Sequence, residues 1–192
     1  MRKRMLVGVV LVIAAVVVVL VSALFDLELE SVALLGAATG AVVALVPDRS
    51  PLMRLAGFAA GVVAAWIGFF LRAGFLPDSA AGRSVAVAVV IALALGVTAV
   101  SLNRIPLWST LLGVAALVGA YEYTYSAAPP EVASTSVSAV TALLFTAAVG
   151  FLATALVAPG AEGPVHRSGR RPAPRDDEET QNLDDMMMEK SK

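Results

Sequence analysis

Residues 31–76 read SVALLGAATGAVVALVPDRSPLMRLAGFAAGVVAAWIGFFLRAGFL. Two apolar runs, Ser31 to Val46 and Leu52 to Leu71, flank the polar turn Pro47-Asp48-Arg49-Ser50-Pro51. Each run carries a Gly-x-x-x-Gly pair, Gly36 with Gly40 and Gly57 with Gly61. That spacing sets two side-chain-free patches on one helix face, where backbones can touch in lipid. The stretch therefore predicts a close-packed transmembrane hairpin, and with it an all-α fold.

Composition points the same way. The chain has 192 residues, 58% hydrophobic and only 15% charged, whereas an ordinary soluble domain is about 25% charged. Most of it is matched to a lipid solvent. Charge is also segregated, since Ala86 to Ser101 carries no ionisable side chain while the residues after Arg167 are mostly polar or charged. The net charge of −1 thus says little about partners, and nothing in the pattern suggests a nucleic acid. There is no cysteine, which excludes disulfides, thiolate metal sites and thiol nucleophiles.

Working outward, Arg2, Lys3 and Arg4 precede an apolar run from Met5 to Phe25, about long enough to cross a hydrocarbon core. Val21-Ser22-Ala23 resembles a leader cleavage site, but the run exceeds a leader's apolar region of roughly 7 to 15 residues, and a retained anchor is expected. Beyond the hairpin, Ser84 to Leu102 forms a fourth span, with Ala88, Ala92 and Gly96 as a small-residue stripe. A fifth runs from Leu107 to about Tyr123, bounded by Trp108 and by Tyr121, Tyr123 and Tyr125 as interfacial aromatics. The sixth, Ala133 to Ala158, places Ser134, Ser138, Ala142, Thr146, Gly150 and Thr154 at every fourth position. Such small and weakly polar residues suit helix contact.

The expected architecture is a polytopic transmembrane helical bundle of six spans over residues 1–159 and a disordered cytosolic tail over 160–192. The tail is rich in Gly and Pro and runs from Arg167, Arg170, Arg171 and Arg175 into Asp176, Asp177, Glu178 and Glu179, a composition that buries no core. Leu183, Met186 and Met187 within it have helical spacing and form a candidate partner motif. Basic residues set the orientation: with both termini cytoplasmic, Arg49, Arg54, Arg104 and the terminal clusters lie inside, and only Arg72 and Arg83 outside. The Ala-, Val- and Gly-rich spans have the cast of a GC-rich bacterial genome, which implies the plasma (inner) membrane. Arg49-Ser50-Pro51-Leu52 and Arg104-Ile105-Pro106-Leu107 occupy equivalent inner turns, a pattern that either duplicated hairpins or the commonness of Arg, Pro and Leu at such turns produces, and coincidence is the expected reading.

Chemistry is sparse. The only histidine, His166, lies in the tail, so no histidine base or metal ligand reaches the spans. No nucleotide fingerprint is present, and no cofactor or metal is expected. The deepest ionisable groups are Arg72 and Glu122, which either form an intramembrane ion pair across spans three and five or snorkel separately to the interface. The helix-packing positions are Gly36, Gly40, Gly57, Gly61, Gly96, Ser138, Ala142, Thr146 and Gly150.

These residues lead to an expected non-catalytic membrane subunit or scaffold acting through helix packing and its tail. Its partners would be the lipid bilayer, further copies or other membrane subunits, and a cytosolic protein at the tail. The alternative is a small-solute transporter or channel, which would need Thr39, Thr98, Thr110 and Thr146 to converge on a water-filled path.

Overall fold

The computed structural model describes residues 8–10, 12, 13, 16, 17 and 30–157, and these contain no strand. The described residues of the first apolar run are helical. Five α-helices follow: α1 (Glu30–Leu45), α2 (Pro51–Gly74), α3 (Ala80–Val100), α4 (Leu107–Ala127) and, after a 3-10 turn at Pro129–Glu131, α5 (Val132–Val157). The tail, with Leu183, Met186 and Met187, lies outside the described residues, as do Arg2, Lys3 and Arg4.

Local chemistry fixes the boundaries. Ser50 caps α2 by accepting from the Met53 N–H at 3.4 Å, and Pro51 follows in the first turn, where its missing N–H costs nothing. Ser79 caps α3 in the same way through the Gly82 N–H at 3.1 Å. Beyond the end of α3 at Val100, Leu102 and Asn103 are both left-handed with φ of 51° and 59°, and the chain turns there before Pro106 caps α4.

Among the described residues three helices are long and apolar enough to cross a membrane: Pro51–Gly74, Ala80–Val100 and the segment Pro129–Val157. α1 is apolar but shorter, Val32–Leu45, and α4 is interrupted by Ser109, Thr110, Tyr121 and Glu122. Among the described residues, helix length and composition support three spans, and the expected six are not confirmed by them. The outer faces remain apolar, with Leu34, Leu52, Val87, Leu95, Phe145 and Leu156 all exposed. A water-soluble bundle would bury such a surface; a lipid-facing one is matched to it.

The helices do not pair as sequential hairpins. α1 packs chiefly along α5 and α2 along α4, while α1 and α2 touch only sparsely and α3 leans on α2 and α4. Both main pairs run parallel. Val32 shares a cleft with Thr135 and Ser138, and further along, Gly36 meets Thr146 and Gly40 the Ala147 carbonyl. In the second pair, Ser109 donates to the Arg54 carbonyl, Gly61 meets Thr110, and Phe69 meets Tyr121.

This corrects the expected hairpin, and glycine geometry gives the reason. A Cβ added at Gly61 would overlap the Thr110 carbonyl, and one at Gly113 would overlap the Phe58 carbonyl. In the other pair, Gly40 is closed by the Ala147 carbonyl and Gly150 by the Ala37 carbonyl. Each flat face thus lies against a helix that carries a glycine of its own, and the turn at 46–50 connects two helices that touch only sparsely.

The core between these crossings is made of small residues and a few large ones. Leu117, Leu143, Val43 and Val62 are fully buried beside Tyr121. Tyr121 and Tyr125 are core residues, buried against Phe69 with ring centroids 5.0 and 5.1 Å away. Of the three tyrosines expected in an interfacial belt, only Tyr123 is exposed.

Candidate functional site

The parallel register of α2 and α4 carries its own consequence at the end of the bundle away from the 46–50 turn. There Phe69 and Arg72, one turn apart on α2, face Tyr121, Glu122 and Tyr125 on α4. The Arg72 Nη1 donates to both carboxylate oxygens of Glu122, at 2.9 and 2.8 Å. Its guanidinium lies 4.5 Å from the Tyr125 ring centroid and 5.8 Å from that of Phe69. Aromatic faces carry negative charge density, so the cation is met by a carboxylate and by two ring faces. Arg72 is 16% exposed and Glu122 45%, which places the carboxylate at the rim and the cation beneath it.

The pair divides two spaces. On one side is an apolar cleft of about 370 Å³ between α2, α3 and α4, walled by Phe69, Val87, Val90, Ile91, Val114 and Val118. On the other is a polar pocket of about 230 Å³ lined by Asp78, Arg83, Tyr125, Ser126 and Pro129. Arg72 and Glu122 line both. Among the described residues theirs is the only ion pair, and Arg83 and Asp78, both exposed, line the pocket without pairing to each other.

The other packing positions separate into two groups. Gly36, Gly40, Ala142, Thr146 and Gly150 are buried along the α1–α5 contact, and Gly57 and Gly61 along α2–α4. Gly96 stands apart, with nothing within 4 Å of where a Cβ would project. Ser138 is exposed and lines a cleft of about 150 Å³ with Thr124 and Thr135. A four-residue stripe on a helix of about 3.6 residues per turn rotates by roughly 40° per step. Over the first half of α5 the buried positions are accordingly Val132, Ser136, Val140 and Leu143, and only from Ala142 onward does the stripe come to face α1.

Four threonines of the spans turn their hydroxyls back on their own helices. Thr39 donates to Leu35 O at 2.8 Å, Thr146 to Ala142 O at 2.8 Å, Thr98 to Ala94 O at 3.3 Å and Thr110 to Pro106 O at 3.5 Å. None of the four lines any of these three clefts. Satisfied in this way, a hydroxyl offers little to a passing solute.

One residue of consequence went unread in the sequence except as a topology marker. Arg54 is 1% exposed, and its Nη1 donates to Val43 O at 2.7 Å, Ala44 O at 3.0 Å and Val46 O. These are carbonyls left open at the C-terminus of α1, where partial negative charge gathers. Arg54 thus caps a neighbouring helix, and Ser109 of α4 binds the Arg54 carbonyl in turn. Its Nε is buried without a partner. The available signal was its place one turn inside an apolar run, where a charged side chain needs a partner. Among the described residues no group of histidine, aspartate or glutamate is arranged to hold a metal ion.

Compared with protein-family models, with curated proteins and with solved structures, the chain matches none.

Proposed function

We propose that the chain is a non-catalytic, multi-pass protein of the plasma (inner) membrane, crossing it six times with both termini cytoplasmic, and that it serves as a subunit or scaffold. The observation that carries this is the closure of the bundle by backbone contact at Gly40, Gly61, Gly113 and Gly150. Close crossings without exchangeable side chains make a stiff frame, and the Thr39, Thr110 and Thr146 hydroxyls are already bonded to carbonyls of their own helices. The exposed apolar faces are then free for lipid or for other membrane subunits, and the tail for a cytosolic partner.

The test has two parts. Reporters fused after Lys192 and within 47–51 are expected to read cytoplasm, and one fused near Pro129 to read the outside. A cytoplasmic reading at Pro129 overturns the six-span topology. Deleting Thr180 to Lys192 is expected to remove co-purifying cytosolic protein while the bundle stays folded. If the truncated chain keeps every partner, the tail has no scaffolding role.

A further inference from the structure

We propose that the apolar cleft and the polar pocket joined at Arg72 and Glu122 form one binding site for a phospholipid with a zwitterionic phosphoethanolamine headgroup. The inference rests on the bundle lying in a bilayer and goes beyond its role as a frame. The cleft is open along the face where Val87, Ile91 and Leu111 are exposed, the direction from which an acyl chain arrives. Its volume of about 370 Å³ falls within the roughly 300–1,000 Å³ of ordinary ligand sites. Its walls offer an acyl chain dispersion contacts and no polar demand until Arg72 and Glu122.

Past that pair the chemistry changes within one side chain's length. The polar pocket presents two cations, Arg72 and Arg83, and two anions, Asp78 and Glu122. Arg72 and Glu122 neutralise each other, which leaves one guanidinium and one carboxylate on the same pocket. A headgroup of net negative charge would satisfy Arg83 and be repelled by Asp78. A phosphate joined to an ammonium answers both: the phosphate oxygens accept from Arg83, and the ammonium donates to Asp78 and to the rim oxygens of Glu122. Tyr125 and Ser126 complete the lining beside them, with the Ser126 hydroxyl already donating to the Tyr123 carbonyl at 2.8 Å. The pocket lies at the helix ends, beside Pro77 and Pro129, which is the depth of a headgroup when the cleft below it holds the chain.

The experiment uses full-length protein, extracted from membranes in detergent, stripped of lipid and titrated with dioleoyl-phosphatidylethanolamine or dioleoyl-phosphatidylglycerol under native mass spectrometry. One phosphatidylethanolamine per chain is expected, held at least ten-fold more tightly than phosphatidylglycerol. Ala115→Trp and Val87→Trp, which fill the cleft from opposite walls, are each expected to weaken it ten-fold or more. Arg83→Gln combined with Asp78→Asn is expected to abolish the headgroup preference while a bound chain remains detectable. Soluble glycerophosphoethanolamine is expected not to compete; competition would mean a free solute is the ligand and overturns the proposal. Equal or stronger binding of phosphatidylglycerol overturns it too, as does retention unchanged in both tryptophan variants. If instead the tryptophan variants change the oligomeric state by light scattering and leave lipid binding unaltered, the cleft holds a second copy. Failure of the membrane reading itself is distinct: the chain would then be washed from membranes by alkaline carbonate before any detergent is added.

Discussion

The space left by the absent side chain of Gly61 is occupied by the Thr110 carbonyl of α4. Backbone meets backbone there, so nothing flexible can yield. Gly61→Leu is expected to force α2 and α4 apart at a cost of about 1–3 kcal/mol or more, read as a lowered melting temperature in detergent. Gly96→Leu is the matched control, because a side chain there enters open space, and it should melt with the parent. Equal melting of all three proteins would mean that the α2–α4 crossing contributes nothing to stability.

Arg54 makes a second prediction of the same kind. Arg54→Met preserves much of the stem but leaves the carbonyls of Val43, Ala44 and Val46 without their donor. Hydrogen bonds to charged groups are each worth about 1.5–3 kcal/mol, so a loss of at least 2 kcal/mol is expected. Arg54→Lys should recover part of it, since an ammonium also donates to carbonyls but lacks the planar fork. A melting temperature higher in Arg54→Met than in Arg54→Lys would refute the capping role.

The Arg72–Glu122 pair calls for a double-mutant cycle with Arg72→Gln and Glu122→Gln. Because the carboxylate is 45% exposed, solvent screening limits the pair to a coupling of about 0.5–1 kcal/mol. The coupling should shrink in high salt. Strictly additive single changes would show that the contact is geometric without being energetic.

Trp66 of α2 donates its indole N–H to Ser136 of α5 at 2.8 Å, and Ser136 is fully buried. It is a polar tie between the two glycine-crossed pairs. Ser136→Ala strands the indole donor at an expected cost of about 1–3 kcal/mol, and adding Trp66→Phe should return part of the stability by removing that donor. Stability that falls further in the double variant would contradict this tie.

The helices themselves were legible because their causes are local. Ser50-Pro51 announces the start of α2 and an apolar run broken only by Arg54 and Arg72 carries it to Gly74, while Ser101 to Pro106 interrupts the next run where the chain reverses. The partners of those helices were not legible. Gly57 and Gly61 declare a flat face, but flatness does not say which helix lies on it, and the complementary Gly113 and Gly150 are single glycines without a paired motif. Spacing also misled on α5, where Ser138 rotates out of the contact that Thr146 enters. Arg72 and Glu122 stood out as rare charges near apolar runs. That they meet depends on the register of α2 against α4, which is set two turns and more away by glycines, and the neighbouring Arg83 and Asp78 were hidden as ordinary loop charges.

The parallel pairing of α1 with α5 also orders events during synthesis. Gly40 and its mate Ala147 are separated by about a hundred residues, which a ribosome working at roughly 5–20 residues per second takes about 5–20 s to make. For that interval α1, the shortest of these helices, has neither its long-term neighbour nor an extensive contact with α2. Anything that shields a lone small-faced helix in the meantime, an insertase or a chaperone at the translocation site, acts on α1. Assembly of this bundle is therefore completed from its last helix backward, and a ribosome that stalls before α5 leaves the glycine face of α1 bare.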